Sequence, residues 1–288
     1  DRILQSQWDR LLQHLSAFET AADPVALDLL GYSRGAALAR HFANLILGKV
    51  RQGRFWDWDD ELGTVTACVD TRFLGLFDTV AQFGILGARD DVFDFSLDPA
   101  WRRVAHAVAL HERRSLFPLV SIDQVGAARA ADWAEQPFVG AHGDIGGGLL
   151  APHELAPDEA TLSDFTLRWM AEQAEAVGIW LDRGGEPLAD GTWARLHDFR
   201  TPVLRLSGWR RDMAGQPLPG VPASDRAVRE ASGRAWLTAQ GDHLHYGARQ
   251  RTLAEALVQR AEAWLGDPDP AVGRVDLAAY EAWLASLP

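Results

Sequence analysis

The 288-residue sequence predicts an α/β fold, a mostly parallel central sheet flanked by helices. Three observations carry the prediction. A short apolar run, Val25 to Leu30, passes through Gly31-Tyr32-Ser33-Arg34-Gly35 straight into a helical pattern. Two further short apolar runs each end on a side chain able to do chemistry, Asp78 and His142. Amphipathic helical stretches lie between and around these runs, and alternation of buried runs with helices is the signature of a parallel sheet.

Residues 1 to about 19 carry Ile3, Leu4, Trp8, Leu11, Leu12, Leu15 and Phe18 at helical spacing, which predicts an amphipathic helix. Asp23-Pro24 ends it and launches the first strand. After the Gly-x-Ser-x-Gly corner, Ala36, Ala37, Leu38, Phe42, Leu45 and Ile46 continue as a buried helix to a stop at Gly48. Arg51 to Gly63 is polar and Trp-rich. Thr64 to Asp70 has strand composition, and Arg72 to Phe77 reads as a second strand ending at Asp78. Trp101 to Leu110 reads as a helix, and Pro137 to Ala141 as a short strand running into His142-Gly143-Asp144-Ile145-Gly146-Gly147-Gly148. Leu162 to Val177 is an amphipathic helix with Ser163 as its candidate cap. Residues 184–241 are interrupted by Gly and Pro and predict loops, a hairpin and a partial cover over the site. Helical runs are expected at Leu253 to Trp264 and at Val275 to Leu287. With no linker in sight, residues 1–288 read as a single domain.

Bulk properties narrow the function. A net charge of -12 argues against a nucleic-acid partner, because neutralising phosphates requires clustered cations. One cysteine, Cys68, excludes an internal disulfide framework, and no Cys/His spacing fits a structural zinc site. No cofactor and no metal are expected. The sequence has neither an apolar run of bilayer length nor a signal-peptide pattern, so synthesis in the cytoplasm without a signal peptide is expected.

Candidate chemistry follows from strand ends. A Ser on a sharp strand-to-helix turn is a weak nucleophile until a base takes its proton, and the base needs a carboxylate to hold its tautomer. Ser33, Asp78 and His142 supply these groups in the chain order Ser, Asp, His. The Arg34 backbone N–H follows the nucleophile and is the candidate oxyanion donor. His245, in Gly241-Asp242-His243-Leu244-His245-Tyr246, is a rival base. Together with His243 it also makes a metal-like pair, although no third ligand accompanies it. Asp144 is either a second carboxylate supporting His142 or a turn-former. Structural alternatives exist for each triad candidate: a plain tight turn for Ser33, a cap for Asp78, a hydrogen-bonded turn residue for His142.

Five stretches together resemble a known family of α/β-hydrolases, the uncharacterised hydrolases that include the first group of type VI secretion lipase effectors. Gly31-Tyr32-Ser33-Arg34-Gly35-Ala36 resembles the family's G-F-S-R-G-A elbow. Gly75-Leu76-Phe77-Asp78-Thr79-Val80 is similar to its G-x-W-D-T-V strand end. His106 to Arg114 resembles H-A-L-A-x-D-E-x-R, with His111 in place of Asp. Val139 to Gly148 resembles G-x-H-S-D-V-G-G-G, and Leu162 to Gly178 resembles L-S-D-x-T-L-R-W-M with its helix. The resemblance implies an α/β-hydrolase-like fold and a serine esterase or phospholipase, with Ser33, Asp78 and His142 at the triad positions. It further implies an antibacterial effector, secreted by a type VI system to act on target-cell membranes, with a secretion-apparatus component and an immunity protein as partners. The family's upstream strand and its F-D-G-T-type loop have no counterpart in this sequence, so one or more N-terminal strands of the fold are expected to be missing from it. Two other functions stay open at this point: a catalytically incomplete binding module, and an esterase for small soluble esters.

Overall fold

The computed structural model describes residues 2–83, 92–109, 112, 117–122, 132–147, 155–181, 192–197, 227–229, 235–238 and 272–285. Four strands form its centre: β1 (Val25–Tyr32), β4 (Gly63–Phe77), β5 (Arg103–Ala109) and β7 (Trp133–Phe138). They lie in the order β1-β4-β5-β7 and every neighbouring pair is parallel. A hairpin, β2 (Val50–Arg51) and β3 (Arg54–Asp59), makes the sheet mixed by pairing antiparallel with the first part of β4. Two smaller sheets stand apart: β6 (Leu119–Val120) with β10 (Ala227–Arg229) and β11 (Ala235–Thr238), and β8 (Glu159–Ala160) with β9 (Trp193–His197) and β12 (Val272–Asp276).

Helices cover both faces of the central sheet. On one side α1 (Arg2–Ser16) and α2 (Arg34–Gly48) bury Leu12, Leu15, Ala36, Phe42 and Ile46 against Leu74, Leu76 and Val104. On the other, α4 (Ser163–Glu175) and α5 (Leu277–Leu284) bury Phe165, Met170, Ala174, Leu277 and Tyr280 against Phe73, Ala105, Ala107 and Ala109. The alternation Phe73, Leu74, Gly75, Leu76 therefore feeds two cores at once. That is why the run is apolar throughout rather than every second residue. Among the described residues no helix is long and apolar enough to cross a membrane.

Several sequence expectations are corrected here. The helix expected at Trp101 to Leu110 is a strand where the structure describes it: Arg103–Ala109 is β5, enclosed between β4 and β7. Its Ala-rich composition favours helix in isolation, but a strand covered on both faces shows no alternation, and sheet pairing outweighs the small intrinsic preference. The two strands expected between Thr64 and Phe77 are one continuous β4, whose first part belongs to the hairpin and whose second part belongs to the parallel sheet. The strand expected at 137–141 begins earlier, at Trp133, and stops at Phe138. Ser163 does not cap α4. Leu162 holds the cap position without a side-chain bond, and Ser163 Oγ instead meets Thr161 Oγ1 at 2.9 Å. Val275 lies in β12, and the last helix begins only at Leu277. Leu253 to Trp264 and most of 184–241 lie outside the described residues.

Register brings the strand ends level. Tyr32 pairs with Phe77, Phe77 with Ala107, and Ala109 with Phe138, so β1, β4, β5 and β7 all finish at one edge. The chain turns back from that edge through α2 after β1, at very close quarters. A Cβ on Gly31 would sit 2.6 Å from Ala36 Cα and 2.6 Å from the Gly35 carbonyl oxygen, both backbone atoms that cannot step aside. A Cβ on Gly35 would meet nothing within 4 Å, so only Gly31 is required by the strand-to-helix approach. Gly31→Ala is expected to lower unfolding free energy by about 1–3 kcal/mol through overpacking. Gly35→Ala is expected to stay within about 1 kcal/mol of the parent, on the stabilising side, because alanine is the better helix former. Urea denaturation of the two variants beside the parent checks both.

Candidate active site

Ser33 sits between β1 and α2 with φ 59 and ψ -128, a backbone conformation that non-glycine residues rarely adopt. Such a residue stores on the order of 1–3 kcal/mol of strain and persists only where its surroundings fix it. Here four backbone bonds do so. The Ser33 amide donates to Phe77 O (2.9 Å), while its carbonyl accepts from the amides of Val80 (3.2 Å), Ala36 (3.1 Å) and Ala37 (3.3 Å). The ladder of α2 thus opens with the amides of Ala36 and Ala37. The Arg34 amide precedes it, in the first turn where helix N–H groups have no intrahelical acceptor.

Asp78 follows β4 and also has a positive φ, 41. Its amide donates to Ala107 O at 2.7 Å, which holds the turn against β5. The carboxylate is fully buried, with Oδ1 accepting the Ala109 amide at 2.9 Å. The other oxygen, Oδ2, lies 2.7 Å from His142 Nδ1.

His142 is the first residue of α3 (His142–Gly146), just beyond the end of β7. Its Nε2 lies 2.7 Å from Ser33 Oγ. With Asp78 accepting at Nδ1, the ring proton belongs there and the Nε2 lone pair faces the serine hydroxyl. The ring is held by contacts on two sides, Tyr32 stacked at 4.7 Å and Phe117 edge-on at 5.0 Å. Its backbone is held too: Tyr32 Oη donates to the His142 carbonyl (3.1 Å), and Glu112 Oε2 accepts the His142 amide (3.3 Å). A continuous hydrogen-bonded line therefore runs Ser33, His142, Asp78, built from the ends of three parallel strands.

The other sequence candidates fall elsewhere. Asp144 does not touch the His142 ring. It accepts the amides of Ala141 (2.9 Å) and His197 (2.9 Å) and meets His197 Nδ1 at 2.8 Å, so it staples the start of α3 to the end of β9. Of the two readings of Asp144, the turn-former is the one its bonds match. His245 and His111 lie outside the described residues. Among the described residues no cluster of three or more His, Cys, Asp or Glu could hold a metal ion.

Sequence reasoning missed Glu112, His197, and a buried polar layer beneath the site. Arg40 of α2 is completely buried and donates to the carbonyls of Phe95 (2.7 Å), Val120 (2.9 Å) and Ser121 (3.2 Å). Burial pulls the pKa of its guanidinium well below the ordinary arginine range, to about 9, against the attraction of Glu135 and Asp94. Glu135 accepts from Ser121 Oγ (2.9 Å) and the Ile122 amide (2.8 Å) and faces His106 Nδ1 at 2.7 Å. Tyr280, also buried, has its hydroxyl pushed up by desolvation and accepts the Val139 amide at 3.1 Å. The clue available in sequence was the quoted stretch containing His106 and Glu112, which carries polar residues within an otherwise apolar run. His197 and Glu135 carry no such local signal.

Residues 49–173 match the family model described as "T6SS, Phospholipase effector Tle1-like, catalytic domain". This is the family read from the five sequence stretches. The matched span contains Asp78 and His142, and Ser33 lies ahead of it. Two solved structures are similar in part. One is an uncharacterized protein from Pseudomonas aeruginosa, 28% identical, with 64% of this chain and 28% of that chain covered and a TM-score of 0.38. The other is the Tle1 effector bound to the VgrG spike from the Type 6 secretion system, 29% identical, with 52% and 31% covered and a TM-score of 0.35. This chain thus spans under a third of the length of either. No curated protein sequence matches it.

Arg40→Met is expected to cost about 3–5 kcal/mol, because it removes the buried cation facing Glu135 and the donor to three carbonyls. Chemical denaturation measures the loss, and a change below about 1 kcal/mol would show that the buried layer is dispensable for stability.

Proposed function

We propose that this chain is the catalytic portion of a serine ester hydrolase of the α/β-hydrolase type, cleaving acyl esters of phospholipids as an antibacterial type VI secretion effector. The observation that carries the reading is the line from Ser33 Oγ through His142 to Asp78, at 2.7 Å and 2.7 Å, with the serine on a strained elbow. Its chain order, Ser then Asp then His, is the order of that fold. The family model supports the phospholipid substrate and the delivery route; a secretion-apparatus component and an immunity protein are the partners that an effector of this kind would have.

The mechanism follows from the roles. Ser33 Oγ attacks the ester carbonyl as His142 Nε2 takes its proton, and the Asp78 carboxylate stabilises the resulting imidazolium. The Arg34 amide, at the positive end of α2, donates to the oxyanion of the tetrahedral intermediate. As the intermediate collapses, His142 returns the proton to the departing alcohol oxygen. Water then repeats the sequence on the acyl-enzyme, with His142 again as base, and releases the carboxylic acid.

Ser33→Ala is expected to lower ester hydrolysis by about 10⁴-fold or more while the circular dichroism spectrum and unfolding midpoint are retained. Asp78→Asn is expected to lose about 10²–10⁴-fold, since the amide favours the wrong imidazole tautomer. Turnover of phospholipid vesicles, compared with a water-soluble acyl ester, distinguishes a lipid enzyme from an esterase for small substrates. Unchanged activity in Ser33→Ala rules the mechanism out, whereas no labelling of Ser33 in the folded protein by a fluorophosphonate probe leaves a catalytically incomplete binding module as the better reading.

A further inference from the structure

The ladder between β4 and β5 runs in register as far as Phe77 opposite Ala107, and the Asp78 amide still donates to Ala107 O at 2.7 Å. The positive φ of Asp78 then swings the chain away from the ladder. The next amide, that of Thr79, is satisfied by a side chain instead of a strand carbonyl. Its acceptor is His106 Nε2, 3.0 Å away in the interior. A backbone N–H can only donate, so Nε2 accepts, and the ring proton resides on Nδ1, 2.7 Å from Glu135 Oε2. Both side chains are sealed from solvent, at 0% and 1% exposure. Glu135 is fixed in turn by Ser121 Oγ and the Ile122 amide.

Two more bonds lock the same turn. The Val120 amide donates to Thr79 O at 3.0 Å, and the Val80 amide donates to Ser33 O at 3.2 Å. Of the groups that hold the segment 78–80, His106 is a side chain with no step in the hydrolytic mechanism. A buried imidazole–carboxylate pair is costly to desolvate, and an apolar residue of similar size would pack there without that cost. Its specific chemistry, an acceptor at the ε position anchored by a donor at the δ position, matches what a strand end leaving its ladder requires.

We propose that the His106–Glu135 pair is the positioning device for the carboxylate limb of the site: it holds the Thr79 amide and thereby fixes the turn that aims Asp78 Oδ2 at His142 Nδ1. The proposal rests on the triad reading above, in which His106 contacts no reacting atom and acts through Asp78.

Two substitutions separate this role from simple packing. In His106→Asn the amide nitrogen occupies the δ position and can still donate to Glu135, but it cannot reach Thr79. In His106→Gln the amide oxygen occupies the ε position and can still accept from Thr79. With the full chain and a soluble chromogenic acyl ester, His106→Asn is expected to lower kcat about 10–100-fold at unchanged KM, the scale on which a displacement remote from the chemistry acts. His106→Gln is expected to stay within about fivefold of the parent. Rates are referred to folded protein, measured from unfolding curves. In an Asp78→Asn background His106→Asn is expected to add nothing further, because the group it positions is already disabled. If His106→Asn is too unstable to assay, the double substitution His106→Leu/Glu135→Gln, which removes the acceptor of the Thr79 amide together with the carboxylate charge left facing it, is expected to give the same pattern in kcat, in KM and in the Asp78→Asn background. Equal losses in His106→Asn and His106→Gln that merely follow stability would overturn the proposal, as would an effect that adds in full to Asp78→Asn. An Asp78→Asn variant with parental kcat would also overturn it, by removing its premise, and that result is recognisable because it appears before His106 is touched.

Discussion

Two backbone hydrogen bonds tie the candidate nucleophile to the turn bearing the candidate carboxylate: the Ser33 amide to Phe77 O, and the Val80 amide to Ser33 O. They bracket Asp78, so the two positive-φ residues of the site stabilise each other's positions. Neither conformation would persist in a short peptide, where nothing offsets its strain. Parallel pairing of β1 with β4 makes the exchange possible, because it ends the two strands level. Gly31 permits it by letting α2 return over β1 without a Cβ between their backbones.

Leaving a sheet at this edge creates a second problem. Each strand that turns away carries amides off its ladder and into a dry interior, where an unsatisfied N–H costs about as much as a lost hydrogen bond. The chain answers with side chains: His106 for the Thr79 amide, Asp78 for Ala109, Asp144 for Ala141 and His197, Glu135 for Ile122 and Glu112 for His142. The polar layer below the site is thus a consequence of how the strands end, and Arg40 supplies positive charge within it. Its members come from α2, β5, β7 and the segments that follow the strands, so the candidate catalytic groups share one frame with the groups that hold the turns.

Much of this was legible in the chain. The helical spacing of Trp8, Leu12 and Leu15, and of Phe165 and Met170, marked helices that bury those faces. Ser33, Asp78 and His142 stood out because each follows an apolar run, and the end of a buried strand is where a polar residue needs a reason to be. The run 103–109 was misread because alanine is a good helix former and a doubly covered strand shows no period of two. Asp144 was assigned two roles by its proximity to His142 in sequence, and its bonds to Ala141 and His197 match only one.

What the sequence determined by itself, then, was local: where apolar runs stop, where a Gly-x-Ser-x-Gly corner follows one of them, and which reactive side chains stand at those stops. The tertiary structure decided everything that depends on register between strands distant in the chain. Only the level ending of β1, β4, β5 and β7 brings Ser33 Oγ, His142 Nε2 and Asp78 Oδ2 into one hydrogen-bonded line, although the serine and histidine are 109 residues apart. The same holds for His106 with Glu135 and Asp144 with His197. Short-range periodicity reports which face of an element is buried and carries no information about which other element will supply the partner for a buried polar atom.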